Sequence, residues 1–345
     1  MSRRAVTLLI AGIGLVACLV IVFAVPVPYV ALLPGPTYNT LGPLDGKPVI
    51  QISGHRTYTA PGHLNMVTVS YIGGPGANPP FNIFAALQAW LSPHQAVVPQ
   101  EELFPPGQTQ QQVVKQDSEQ MVNSQQTAEA AALCQLGIRF ATIDTISGTI
   151  SGLPAAGRLQ RGDVIKAVDG KPVTCQSSAA TMIRSRPAGH RVVLTIARGG
   201  KIHTVALRTA SYKGEPVIGV NVVESFKFPF QVKINIGNVG GPSAGMMFAL
   251  AIIDKLTPSN LTGGKFIAGT GEIEVDGAVD PIGGIQQKMA AARAAGATVF
   301  LAPADNCSDT AGSVPAGLRV VKVSTLRGAI GALKAVKAGK PVPSC

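Results

Sequence analysis

Aromatic residues are scarce in this sequence: one tryptophan, five tyrosines and eleven phenylalanines among 345 residues. Charge is scarce too, at 14%, and only 18 acidic residues stand against 29 lysines and arginines. With 46% hydrophobic residues, so little charge excludes a disordered chain. The length suffices for two or three domains with cores of their own. A formal charge of +11 would suit nucleic acid, but the basic residues are dispersed and nowhere interleaved with aromatics, so no nucleic-acid partner is expected. The excess reads as a basic solvated surface near anionic lipid or an acidic cell envelope. Cysteines are few and no pair has C-x-x-C spacing, which removes the usual zinc sites; neither metal nor cofactor is expected. No histidine follows His203, so a Ser-His-Asp triad has no base in the rest of the chain.

What is present begins with an uncharged run, 5–25, behind Arg3 and Arg4 and ahead of Pro26 and Pro28. At about 1.5 Å per residue it reaches roughly 32 Å, enough to span a hydrocarbon core. The positive flank predicts a cytoplasmic tip, with everything beyond the segment outside the cytoplasmic membrane. A cleaved signal peptide would fit Val22-Phe23-Ala24, and a lipoprotein signal would fit Leu15-Val16-Ala17-Cys18. The run is long for the first, and the second is followed by residues as apolar as those before it. A single-pass signal anchor fits best. Cys134, Cys175, Cys307 and Cys345 then lie in a compartment where disulfides persist. Cys307 and Cys345 are expected to pin the tail, leaving Cys134 with Cys175.

Strand-like stretches at 49–52 and 66–72 are separated by turns, and 81–91 reads as a short helix stopped at Ser92-Pro93. The Gln-rich stretch 108–133 lacks Gly and Pro and carries Val113, Val114, Met121, Val122, Ala128 and Leu133 along a loose helical face. From 137 to 209 the texture is short strands and regular turns. Leu159-Gln160-Arg161-Gly162-Asp163-Val164-Ile165 leads into Val168-Asp169-Gly170-Lys171-Pro172-Val173, and this order resembles a bacterial, protease-associated PDZ domain. Asp163 and Asp169 are read as turn-holding residues. The resemblance implies capture of an extended peptide by a sheet edge, with the carboxylate loop around Leu136, Gly137 and Ile138.

Chemistry gathers after residue 212. A strand at 230–236 runs into Gly237-Asn238-Val239-Gly240-Gly241-Pro242-Ser243-Ala244-Gly245 and an apolar helix. Pro242 suits a first helical position, which would put Ser243 in the first turn, where free N–H groups favour developing negative charge. This segment alone leaves open whether Ser243 is a nucleophile or a helix-start serine. A second helix, stopped by Gly296, aligns Ile285, Lys288, Met289 and Ala292 on one face. Lys288 thus faces the core, either snorkelling to water or desolvated enough to take a proton from a serine.

Gly241-Pro242-Ser243-Ala244-Gly245, Thr270-Gly271-Glu272-Ile273 and Pro281-Ile282-Gly283-Gly284-Ile285-Gln286-Gln287-Lys288 together resemble the proteolytic domain of the Lon family. The resemblance implies Ser243 as nucleophile, Lys288 as general base, Thr270 as a supporting hydroxyl, and 241–243 as the oxyanion loop. Two features depart from it: Gly240 replaces an acidic residue two before the proline, and no Gly-x4-Gly-Lys-Ser/Thr loop occurs, since Gly263-Gly264-Lys265 continues with Phe266. The layout resembles bacterial membrane-anchored proteins that pair a PDZ domain with a Lon-type domain. It implies an ATP-independent serine endopeptidase acting on unfolded or flexible chains. A homo-oligomeric ring is a further expectation. The competing reading is an inactive PDZ scaffold or chaperone of the envelope. The expected fold is α+β, with tip and anchor at 1–28, a β-rich segment and Gln-rich helix at 29–133, a PDZ domain at 134–210 and the proteolytic domain at 212–345.

Overall fold

The computed structural model describes residues 3–59, 61–77 and 79–345. Helix α1 (Arg3–Ala24) is 22 residues long and includes an 18-residue window with a mean hydropathy of 2.9, long and apolar enough to cross a membrane. Its one hydroxyl near the start, on Thr7, donates back to the Arg3 carbonyl and needs no outside partner.

Strands β1 (Tyr29–Asn39), β2 (Ile50–Ser53) and β3 (His63–Gly73) follow, then helix α2 (Ile83–Trp90), strand β4 (Ala96–Pro99) and the long helix α3 (Gln110–Gln135). A capping box opens α3: the Gln112 amide donates to the Thr109 hydroxyl, and the Gln112 side chain accepts from the Thr109 N–H. Gly137, at φ +70°, closes it in the left-handed conformation. There Gly137 N–H donates to the Cys134 carbonyl and Ile138 N–H to that of Leu133.

The middle of the chain holds β5 (Ala141–Thr149), β6 (Val164–Val168), α4 (Ala179–Arg184), β7 (Arg191–Arg198), β8 (Lys201–Arg208) and β9 (Val220–Lys227). Their sheet runs β8-β7-β6-β5-β9. Val192, Leu194 and Ile196 alternate inward along β7 and meet Ile146, Ile165 and Ile183 in a core of its own. Asp163 holds its turn by accepting from the Gln160 N–H, whereas Asp169 accepts from the Val193 N–H of β7, and each also meets an arginine. Asp163, fully buried, accepts two 2.7 Å bonds from Arg198, which hold its carboxyl below the usual range. Asp169, partly exposed, accepts from Arg186 through one oxygen at 3.1 and 3.4 Å.

The last part comprises β10 (Gln231–Ile234), α5 (Gly245–Leu256), β11 (Phe266–Gly269), β12 (Glu272–Ile273), β13 (Val279–Asp280), α6 (Ile285–Ala294), β14 (Val299–Pro303), β15 (Arg319–Val323) and α7 (Leu326–Lys337). Its main sheet is ordered β15-β14-β11-β3-β1-β4, parallel from β15 to β3 and antiparallel from there on.

The strand pairings cross two expected boundaries. The segment 29–133 is not a unit of its own. β3 lies against β11, and its buried Leu64 and Met66 join Met247, Leu250 and Leu301 in the largest core. Helix α3 closes the same core, its buried Ala128, Ala131 and Ala132 letting it approach α5. β10 is likewise paired with β2 from the early chain. At the second, near 212, β9 lies beyond the expected limit yet pairs with β5 along its whole length and completes the middle sheet.

Two disulfides lock these units: Cys134 with Cys175, and Cys307 with Cys345. The first ties the end of α3 to the middle domain. The second holds a tail that has more order than its composition suggests, since Lys322 N–H donates to the Pro343 carbonyl along the β15 edge.

Candidate active site

Three expected residues converge. Lys288 Nζ donates to Ser243 Oγ at 2.9 Å and to Thr270 Oγ1 at 3.3 Å, while the Thr270 hydroxyl donates to the Ser243 carbonyl at 2.9 Å. Each arrives on a different element. Thr270 follows β11 and is fixed by its N–H to the Leu301 carbonyl of β14. Lys288 stands in the first turn of α6, its N–H on the carbonyl of Gly284. Gly284, at φ +68°, turns the chain into α6 where a Cβ would meet Val69 of β3 at 2.7 Å.

Lys288 is only 4% exposed, and among the described residues no carboxylate bonds to its amine. Burial alone lowers its pKa from 10.5 to about 7. A snorkelling lysine would keep its ammonium in water; this one does not. Ser243 is half-buried beside it.

Ser243 itself is not in a helix, as Pro242 had suggested. Helix α5 starts at Gly245 with Ala244 as its cap, so Pro242 and Ser243 belong to the preceding turn. The turn is held from outside the helix, which accounts for the shift. Gly241, at φ +83°, donates its N–H to the Asp117 carbonyl, and the Ser124 hydroxyl donates to the Pro242 carbonyl at 2.9 Å, both from α3. The Gly271 N–H takes the Ser243 carbonyl, and the Met246 N–H takes that of Gly271. Among the described residues no backbone carbonyl accepts from the amides of Ser243 or Ala244. Those two N–H groups and the positive end of α5 surround the serine.

Asp117 and Ser124 are the residues that sequence reasoning missed. They sit 126 and 119 residues before Ser243 in a polar helix. Only the unusual small-and-polar pattern of that helix, with Ser124 in register with Met121 and Ala128, hinted at a buried face.

Leu136, Gly137 and Ile138, expected as the peptide loop, do not line the cleft of the middle domain. These residues form the helix stop of α3, and Leu136 and Ile138 pack on the main core. A cleft of about 600 Å³ lies elsewhere, between α4 and β9, with residues 216–219 also in its lining. β9 is at the edge of its sheet, so its outer side has no strand partner among the described residues. Glu224 of β9 and Glu274, Val275 and Asp276 of the β12–β13 hairpin line the same cleft.

Residues 231–331 match the Lon protease (S16) C-terminal proteolytic domain, and 134–209 match the PDZ domain. The chain joins a PDZ domain to a Lon-type proteolytic domain. Over 147 residues it is 31% identical to Lon protease 1 of Bacillus subtilis (strain 168), covering 41% of this chain and 19% of that one. Lon protease of Roseiflexus castenholzii is 33% identical over 127 residues, 36% of this chain and 16% of the relative. The chain thus spans under a fifth of the length of these relatives. Among solved structures, the PDZ domain of the SdrC-like protein Lmo2051 from Listeria monocytogenes is 26% identical, covering 23% of this chain and 86% of that one, with a TM-score of 0.21. The PDZ match stops before β9, the strand that forms one wall of the cleft.

Proposed function

We propose that this protein is an ATP-independent serine endopeptidase, tethered to the cytoplasmic membrane by α1 with its catalytic domain outside, and working through a Ser243–Lys288 dyad. The observation that carries the reading is a desolvated amine, with a pKa near 7, at 2.9 Å from a serine hydroxyl. With Lys288 neutral, the hydrogen bond reverses and Ser243 donates to Nζ. As Oγ attacks a scissile carbonyl, its proton passes to Nζ and the carbonyl oxygen becomes an oxyanion beside the Ser243 and Ala244 amides. Lys288 then gives the proton to the leaving amine nitrogen, the C–N bond breaks, and an ester to Ser243 remains. Water then adds to the ester carbonyl and gives a proton to Lys288 Nζ, which returns it to Ser243 Oγ as the ester C–O bond breaks and the acid leaves. Thr270 orients Nζ throughout.

The PDZ cleft would receive an extended segment of a flexible substrate as an added strand on β9. ATP independence rests on the absence of a Gly-x4-Gly-Lys-Ser/Thr loop from the sequence. Labelling with a fluorophosphonate or a peptidyl boronate tests the reading. The intact protein should be labelled at Ser243 and should cleave an unstructured protein equally well with and without Mg-ATP. An unlabelled Ser243 under conditions where the protein cleaves would assign the chemistry elsewhere.

A further inference from the structure

Helix α2 carries its large apolar residues on the outside. Its inner face is alanine: Ala85, Ala86 and Ala89 pack with Val27, Ala31, Leu33 and Phe81. Its outer face shows Phe84, Leu87 and Trp90, with Leu91 just past the end, exposed by 47, 49, 73 and 76%. Spacings of three and four residues put these side chains in one stripe. The helix has no charged residue. Soluble proteins rarely leave so compact an apolar patch in water.

The stripe begins where α1 ends. Asn82 caps α2 by accepting from the Ala85 N–H and donates its own amide to the carbonyl of Phe23 in the last turn of α1. The Val27 N–H donates to the Phe81 carbonyl, and the rings of Phe23 and Phe84 lie 4.8 Å apart. Whatever medium surrounds Phe23 therefore extends to Phe84. Tyr29 and Tyr71, on adjacent strands at this end, are also exposed. Tyrosine and tryptophan favour the boundary between headgroups and acyl chains.

We infer that α2 lies in the outer interfacial layer of the bilayer crossed by α1, with Phe84, Leu87, Trp90 and Leu91 in contact with lipid. The proteolytic body is then docked flat on the membrane rather than hanging from a single tether. The contact runs through β1, whose inner side packs on α2, so the main sheet keeps a fixed height above the lipid. This inference rests on the reading of α1 as a membrane anchor.

The chain contains a single tryptophan, Trp90, which makes it its own reporter. The full-length protein would be reconstituted in phosphatidylcholine–phosphatidylglycerol vesicles with and without lipids brominated near the top of the acyl chains. Carbonate extraction would be run on the same samples. The expected result is a carbonate-resistant protein with blue-shifted Trp90 emission that brominated lipid quenches. Resistant protein with unshifted, unquenched emission overturns the docking of α2 and leaves the anchor standing. Shifted emission without quenching means that protein rather than lipid covers the stripe, and also overturns the inference. Protein extracted by carbonate overturns the anchor and this inference together.

Discussion

A Cβ at Gly240 would lie 2.6 Å from the Cβ of Asp117, so a helix residue from far upstream already fills the space beside the serine turn. The family resemblance leads one to expect an acidic residue at 240. Here an acidic side chain reaches that place from α3, and burial raises its pKa. The same residue takes the Gly241 N–H on its carbonyl.

Gly240→Asp, which would restore the family pattern, is therefore expected to harm the enzyme. Overpacking at a fixed contact costs about 1–3 kcal/mol, and the strain falls on the turn that carries Ser243. Gly240→Ala should do nearly the same harm, because the clash is with the first carbon of any side chain. Thermal unfolding and fluorophosphonate labelling check both. Full labelling and an unchanged Tm for Gly240→Asp would mean that α3 does not fix this turn.

The Ser243, Thr270 and Lys288 cluster was legible in the sequence because short motifs carry it, and a lysine in register with Ile285, Met289 and Ala292 announces its own burial. The membrane-length helix and the PDZ strands were legible for the same reason, through local period and local turns. What could not be read was pairing across distance. β3 looks like an ordinary half-buried strand, and nothing in its residues names β11, some 200 positions later, as its neighbour. The Gln-rich helix reads as a connector because, beside Met121 and Leu133, its buried face is mostly Ala and Ser with Glu129 and Cys134, which carry little hydrophobic signal. β9 lies beyond the recognised PDZ motifs, so no local signal in the sequence marks it as a wall of the cleft.

Ser124→Ala removes the hydroxyl that holds the Pro242 carbonyl. One such bond contributes about 1 kcal/mol to stability, so the fold should survive with a slightly lower Tm. Turnover should fall more than stability does, since a Pro242 carbonyl held only by the Gly245 N–H at 3.3 Å lets the Ser243 amide drift from the forming oxyanion. A kcat loss with KM and the pH profile unchanged is the expected signature. A change in KM alone would place Ser124 in substrate binding.

Ala180→Trp fills the cleft between α4 and β9 from an exposed position that supports no core packing. Cleavage of an unstructured protein should slow, while a short reporter peptide should be cut at the normal rate. Isothermal titration of C-terminal peptides would show the lost binding directly. Equal losses on both substrates would make the cleft part of the proteolytic fold rather than a substrate station.

The pH dependence follows from Lys288. The amine must be neutral to take the serine proton, and its pKa lies at about 7, so kcat/KM should rise through neutrality and level off in mild alkali. Lys288→Arg should be inactive at every pH, because guanidinium holds its proton. Lys288→Met should be inactive too, yet more stable than the parent at neutral pH. The unfolded chain keeps the lysine proton up to about pH 10.5, whereas the folded one releases it near 7, so the parent loses stability as pH falls between those values and Met does not. Urea melts of both proteins at pH 7 and pH 10 check this: the gap should be widest at the lower pH and narrow at the higher. A parent whose stability does not change over that range carries an ordinary, hydrated ammonium at 288, and such a group could not serve Ser243 as a base.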